Sequence, residues 1–202
     1  ASRCLNSPSL SRTAAPPEAG GYRVVVPREP GGAAGAEAVR HVILSGAAKP
    51  FGAGAEALLF AAARADHVDS LIKPSLLAGL WVVCDRFIDS TKVYQGVLGE
   101  VDGDLLSGLE WVAVGETRPD LTVILDVPPE VGLARAAARG AVADRFEQEG
   151  LAFHTRVRDA FLALAIADPG RCVVVDAGGT PDEVAARIWA VVAERFQLFV
   201  AA

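Results

Sequence analysis

The sequence predicts an α/β fold, a parallel β-sheet flanked by helices. Three observations carry that expectation. Short Val/Ile/Leu runs recur along the chain, each almost continuously apolar, as strands buried on both faces require. Helical patterns separate the runs, so the strands are joined by crossovers rather than hairpins. The chain is also long and apolar enough for one such core, with 202 residues of which 51% are hydrophobic.

The elements follow in order. Residues 1–20 carry Ser2, Ser7, Ser9, Ser11, Pro8, Pro16 and Pro17 with no helix or strand period, and read as an irregular N-terminal arm. The α/β domain is expected over 21–202. Its candidate strands are Tyr22–Val26, Leu80–Cys84, Leu121–Leu125 and Cys172–Val175. Helix Ala55–Val68 sets Ala55, Leu58 and Ala62 on one face, read as the core face. Phe60, Arg64 and His67 fall together on the opposite face. Gly132–Arg139 is Ala-rich and spaces Arg135 and Arg139 one turn apart. Gly150–Ala167 offers Phe153, Val157, Phe161 and Leu164 to a core. The last helix starts after Thr180-Pro181, a cap followed by proline in the first turn, and buries Val184, Ile188, Val191 and Val192. Segments 69–79 and 101–114 also read as helical.

Several function classes are excluded at this level. A net charge of −6 lacks the basic footprint of general nucleic-acid binding. No run of roughly 18 apolar residues offers a membrane span. Cys4, Cys84 and Cys172 are far apart and odd in number, which suits neither a disulfide framework nor a metal motif and points to a reducing, cytoplasmic setting. The surplus of 16 Arg over 3 Lys has two readings: gene composition, or selection of guanidinium for bidentate contact with phosphate or carboxylate.

The strand ends bring the chemistry into view. The four runs lead into Arg28-Glu29, Asp85-Arg86, Asp126 and Asp176. In open parallel sheets, ligands bind outside the carboxyl ends of the strands. Guanidinium offers a planar fork of donors to phosphate oxygens, and a neighbouring carboxylate can hold that fork or bind Mg²⁺. Such groups suit phosphoryl transfer, which needs positioning and charge compensation more than covalent chemistry. The Phe60/Arg64/His67 stripe has two readings: a ring and guanidinium that stack on and hydrogen-bond a nucleobase, or a second core layer with a solvated histidine.

Five blocks then resemble one family. PREPGG at 27–32, EALLFAAARADHV at 56–68, CDRFIDSTKVYQG at 84–96, RPDLTVILDVPPEVGLARAAARG at 118–140 and DRFEQEGLAFHTRVRDAF at 144–161 are similar, in order and spacing, to bacterial thymidylate kinase. The resemblance covers about Gly21 to Phe196. It implies a P-loop nucleoside-monophosphate-kinase-like sheet, usually in a homodimer, that transfers the γ-phosphoryl group of ATP to dTMP with Mg²⁺, giving dTDP. It implies Arg28 and Arg86 on the dTMP phosphate, Phe60 stacked on thymine, Arg64 on a thymine carbonyl, and Thr91, Tyr94 and Gln95 along the nucleoside. It sets Asp85 near the metal and phosphates, with Glu29 as a second metal candidate. Arg135, Arg139 and Arg145 belong with the ATP phosphates and a lid at about 139–150. The loop after Asp176 belongs near adenine.

One departure bears on activity. The family's phosphate loop, G-x-x-x-x-G-K-[ST] after a first strand, is not found. Its lysine should fall near Asn6, where Cys4-Leu5-Asn6-Ser7-Pro8 stands. The backbone N–H groups and lysine of that loop cradle phosphates, so ATP handling is the function in question. Without the first strand the expected sheet carries unpaired edges or an apolar groove. Two other readings remain alongside a working thymidylate kinase. One is a dTMP-binding pseudokinase or inactive fragment, and the other is a deoxynucleoside kinase.

Overall fold

The computed structural model describes residues 22–27, 29, 34–138 and 149–198. The arm at 1–20, most of the expected lid, and the candidates Arg28, Arg139 and Arg145 lie outside these residues.

All four expected strands form, in two parallel pairs. β1 (Val24–Val25) pairs with β2 (Trp81–Val82), Val24 opposite Trp81. β3 (Thr122–Asp126) pairs with β4 (Cys172–Asp176) over five residues, Thr122 opposite Cys172 and Asp126 opposite Asp176. The first pair is shorter than Tyr22–Val26 and Leu80–Cys84 suggested. Pro27 is the cause: it has no N–H to donate, so regular pairing stops before it. Single backbone bonds carry the alignment onward. Val83 N donates to Val25 O at 2.9 Å, Asp85 N to Pro27 O at 3.2 Å, and Glu29 N to Asp85 O at 3.1 Å.

The helices are α1 (Ala34–Leu44), α2 (Gly52–His67), α3 (Lys73–Leu77), α4 (Ile88–Thr91), α5 (Gly103–Val114), α6 (Pro129–Ala138), α7 (Leu151–Ala167) and α8 (Pro181–Phe196). α1 carries no strong cap signal and was not singled out from the sequence. Wide π-helical turns at Val68–Ile72 and Lys92–Val97 extend α2 and α4. Leu98 N reaches back five residues to Val93 O at 3.0 Å. Such turns displace side chains from the 3.6-residue period, and they recur at functional sites. The start of α8 follows the expected chemistry. Thr180 Oγ1 accepts from Glu183 N at 3.3 Å, and Glu183 Oε2 accepts from Thr180 N at 2.7 Å, a reciprocal capping box.

The face of α2 is the reverse of the expectation. Leu58 is 53% exposed and Ala62 is exposed, whereas Ala57, Ala61, Arg64 and His67 are buried. α2 is packed between α1 and α5, and the Arg64 charge is matched by Glu29. A polar stripe can therefore face inward while Leu58 faces water.

Three apolar clusters hold these elements. One joins α7 to β3 through Val157, Phe161 and Ile124. A second joins α2, α4 and α5 through Ala61, Ile88 and Val114. The third seats α8 on β4 through Val184, Ile188 and Val175. Between β2 and β3 lies a largely apolar gap of about 1040 Å³. Among the described residues, no helix is long and apolar enough to cross a membrane.

Candidate functional site

The site is built at the carboxyl end of the β1–β2 pair. The bond from Glu29 N to Asp85 O fixes the two acidic residues as neighbours, and both are buried. Arg64 reaches this point from the inner face of α2. Its Nε donates to Glu29 Oε1 at 2.7 Å and its Nη2 donates to Thr91 Oγ1 at 3.0 Å. Nη2 also donates to Phe87 O at 3.5 Å. A guanidinium has five N–H groups, so two donors remain beyond these three bonds. Burial dominates the Glu29 carboxyl and pushes it up to about 7, against the opposing pull of Arg64. Among the described residues, Glu29 Oε2 has no hydrogen-bond partner.

Arg86, directly after Asp85, has φ of 66°, a left-handed backbone uncommon for a side chain of its size. Strain of this kind costs of order 1–3 kcal/mol and collects at ligand sites. Its guanidinium lies over the Tyr94 ring, 5.1 Å from the centroid. That of Arg64 lies 5.5 Å from the Phe87 centroid. Tyr94 is backed by Phe153 and Phe161, with ring centroids 6.3 and 6.4 Å away. The π-helical turn at Lys92–Val97 presents Tyr94 and buries Gln95. Gly99 lets this turn close, since a Cβ there would lie 2.7 Å from Gln95 O and 2.7 Å from the Ala53 Cβ.

Phe60, Arg64, Arg86, Thr91, Tyr94 and Gln95, taken from separate stretches of sequence, line one pocket, and Glu29 closes its floor. Phe87 and Ser90 line it as well. They were not singled out from the sequence, although both sit inside the 84–96 block that marked their neighbours. Burial, with Glu29 and Asp85 adding to it, pushes the Cys84 thiol up, so Cys84 is no thiolate nucleophile.

The ends of β3 and β4 form a second group. Arg158 grips Asp126 with two parallel bonds, Nε to Oδ1 at 2.6 Å and Nη2 to Oδ2 at 2.8 Å. These bonds hold the Asp126 carboxyl below its ordinary range. Arg135 donates to Ala177 O at 2.8 Å and Gly179 O at 3.0 Å, and Arg187 donates to Asp176 O at 2.9 Å and Gly178 O at 2.7 Å. Arg135 and Asp176 thus meet at one loop, 177–179, and Arg135 is occupied in shaping it. Arg158 and Arg187 were missed: Asp126 and Arg158 are 32 residues apart, and no local pattern announces the pair.

Among the described residues, no group of three or more His, Cys, Asp or Glu gathers as a metal cluster. A divalent cation bound mainly through water and ligand oxygens, with one or two carboxylates, needs no such cluster.

The family model described as thymidylate kinase matches residues 13–188. The chain is 58% identical over 180 residues to a thymidylate kinase of Nitrobacter winogradskyi, covering 88% of this chain and 78% of that protein. It is 55% identical over 198 residues to one of Bradyrhizobium sp. (strain BTAi1), covering 97% of this chain and 88% of that protein. The crystal structure of thymidylate kinase from Ehrlichia chaffeensis superposes with a TM-score of 0.66 at 32% identity, over 84% of this chain and 81% of that one. The chain belongs to the thymidylate kinase family.

Proposed function

We propose that the pocket between α2, Arg86 and the Lys92–Val97 turn binds dTMP, and that the chain acts as a thymidylate kinase with ATP as donor. One observation supports this most: six side chains chosen from two sequence stretches line a single pocket, with a buried carboxylate from a third orienting one of its two arginines. Phe60 supplies a flat face for thymine. Arg64, held by Glu29 and Thr91, has donors left for a base carbonyl. Tyr94 lies beneath the sugar, with Thr91 and Gln95 alongside. Arg86 takes the phosphate, joined by Arg28 from outside the described residues.

The pocket holds about 30 Å³, far less than ligand sites of roughly 300 Å³ or more. Entry of dTMP therefore lifts Arg86 off Tyr94 and exchanges a cation–π contact for a phosphate. Asp85 and Glu29 fit a magnesium ion, which takes one or two carboxylates and leaves its other positions to water and phosphate. The unpartnered Glu29 Oε2 supplies one donor. When bound, the ion neutralises phosphate charge. The 177–179 loop, shaped by Arg135, receives adenine, and Arg139 and Arg145 serve the transferring phosphoryl group. A phosphate monoester oxygen is already a nucleophile, so the protein's task is in-line positioning and charge compensation. The working form is a homodimer in the cytoplasm.

Calorimetry and a coupled phosphotransfer assay test the reading. dTMP should bind and be phosphorylated in preference to thymidine, and Arg86→Ala should weaken dTMP binding at least tenfold. Equal dTMP affinity in Arg86→Ala, or transfer to thymidine alone, refutes it. A second reading rests on the lack of a recognisable G-x-x-x-x-G-K-[ST] pattern: dTMP binds and no phosphate is transferred. Binding of dTMP without binding of ATP selects that reading.

A further inference from the structure

We propose that Asp66 is a positioning residue for the acceptor phosphate: from the last turn of α2 it caps the N-terminus of α1 and so fixes the far end of the segment that follows Arg28. The inference rests on the dTMP reading above and concerns the phosphate half of that ligand. The sequence ahead of α1 supplies no cap of its own. A helix leaves its first N–H groups without partners inside the helix, and Ser, Thr, Asp or Asn at its start ordinarily accepts one of them. Residues 31–34 are Gly31-Gly32-Ala33-Ala34, none of which has a side-chain acceptor. The acceptor comes instead from 30 residues away: Ala36 N donates to Asp66 Oδ2 at 2.9 Å. The carboxylate charge also suits the positive end of the helix dipole. Gly35 leaves room for this approach. A Cβ there would lie 3.1 Å from Asp66 Oδ2, and the three atoms nearest to it would all belong to the Asp66 carboxyl group.

The near end of the same segment is tied to the same turn of α2. Arg64, two positions before Asp66, donates from Nε to Glu29 Oε1 at 2.7 Å. α2 thus holds Glu29 through Arg64 and Ala36 through Asp66, with residues 30–35 between the two anchors. Arg28, assigned to the dTMP phosphate, stands directly before the first anchor. Fixing both ends of a chain segment lowers the entropy left to lose when a ligand orders it, and a geometry set in advance binds more tightly. Asp66 is not among the residues lining the dTMP pocket. Its effect therefore reaches the phosphate through α1 and the segment before it, while the base side of the pocket, at Phe60 and Gln95, is built without it.

Calorimetry on the full 202-residue chain with dTMP and with thymidine tests the proposal, with urea unfolding alongside. Asp66→Ala should weaken dTMP binding at least fivefold and thymidine binding less than twofold, because the loss falls on the phosphate. Asp66→Asn keeps an oxygen acceptor for Ala36 N and should hold dTMP affinity within twofold of the native value. Gly35→Val carries the test if Asp66→Ala does not fold. It presses on the Asp66 carboxyl group from an exposed helix position, leaves α2 unaltered, and should give the same selective loss. A merely structural role predicts equal losses for the two ligands, and that result overturns the proposal. So does native dTMP affinity in folded Asp66→Ala or Gly35→Val. The dTMP reading is judged separately, on the native chain. Equal affinity for dTMP and thymidine there removes that reading and this inference together, whereas a native preference for dTMP that survives both substitutions removes this inference alone.

Discussion

Replacing Glu29 by Gln isolates the titration of the buried carboxyl against Arg64. The native carboxyl stands at about 7, where its ordinary value is 4.5. In the interval between, the folded chain keeps a proton that the unfolded chain has released. Stability therefore falls as pH rises through this window and levels off above it. Each pH unit of the interval is worth about 1.4 kcal/mol, so the whole amounts to about 3 kcal/mol. Gln keeps the shape and the acceptor for Arg64 Nε but cannot titrate. His67 titrates nearby in the opposite sense: burial lowers its pKa, so its contribution is lost as pH falls below about 6.5. Both chains contain His67, so it cancels in the difference. Urea unfolding at half-unit steps from pH 4.5 to 8 supplies the measurement. Whatever the offset between the two chains, the stability of the native protein relative to Glu29→Gln should decline by about 3 kcal/mol from pH 4.5 to 7.5. Parallel curves would refute the claim that burial outweighs the Arg64 attraction.

Three further outcomes are expected. Gly99→Ala forces a methyl group against Gln95 O and Ala53, costs about 1–3 kcal/mol in urea unfolding, and weakens dTMP binding by displacing the Tyr94 turn; unchanged stability contradicts the close approach. Arg171→Met removes the two-pronged partner of the buried Asp89 carboxylate, with bonds of 2.7 and 2.8 Å, and costs about 3–5 kcal/mol; a loss under 1 kcal/mol would show that the charge is not dry. Arg158→Met costs about 1 kcal/mol at pH 7. Because Arg158 holds Asp126 below its ordinary range, that loss should vanish as pH drops below about 4, and a loss independent of pH would point to packing instead.

Much of the architecture was legible because it rests on local chemistry. The four strand runs, the Thr180-Pro181 start of α8 and the apolar stripe of α7 each follow from residues within one turn or one strand. The pocket was legible only through blocks of residues that resemble a family, since six of its side chains come from stretches as far apart as Phe60 and Gln95. What the sequence did not show has a common physical cause. The inner face of α2 was misread because hydrophobicity alone cannot say that Glu29 will accept a hydrogen bond from Arg64. The π-helical turns leave no periodic trace, and they decide where Tyr94 and Gln95 point. The Asp126–Arg158 pair is invisible for the same reason as any ion pair across 32 residues: neither partner marks the other.

Asp89, Thr122 and Arg171 bear on how the two strand pairs keep their alignment. Arg171 stands just before β4, Thr122 opens β3, and Asp89 belongs to the helix that follows β2. Arg171 donates to both Asp89 carboxylate oxygens and to Thr122 Oγ1 at 2.6 Å. The three form a clasp across an open seam. It fixes one strand pair against the other although, among the described residues, no backbone ladder joins them, so the carboxyl-end rims of the two pairs stay level whether or not anything fills the space between.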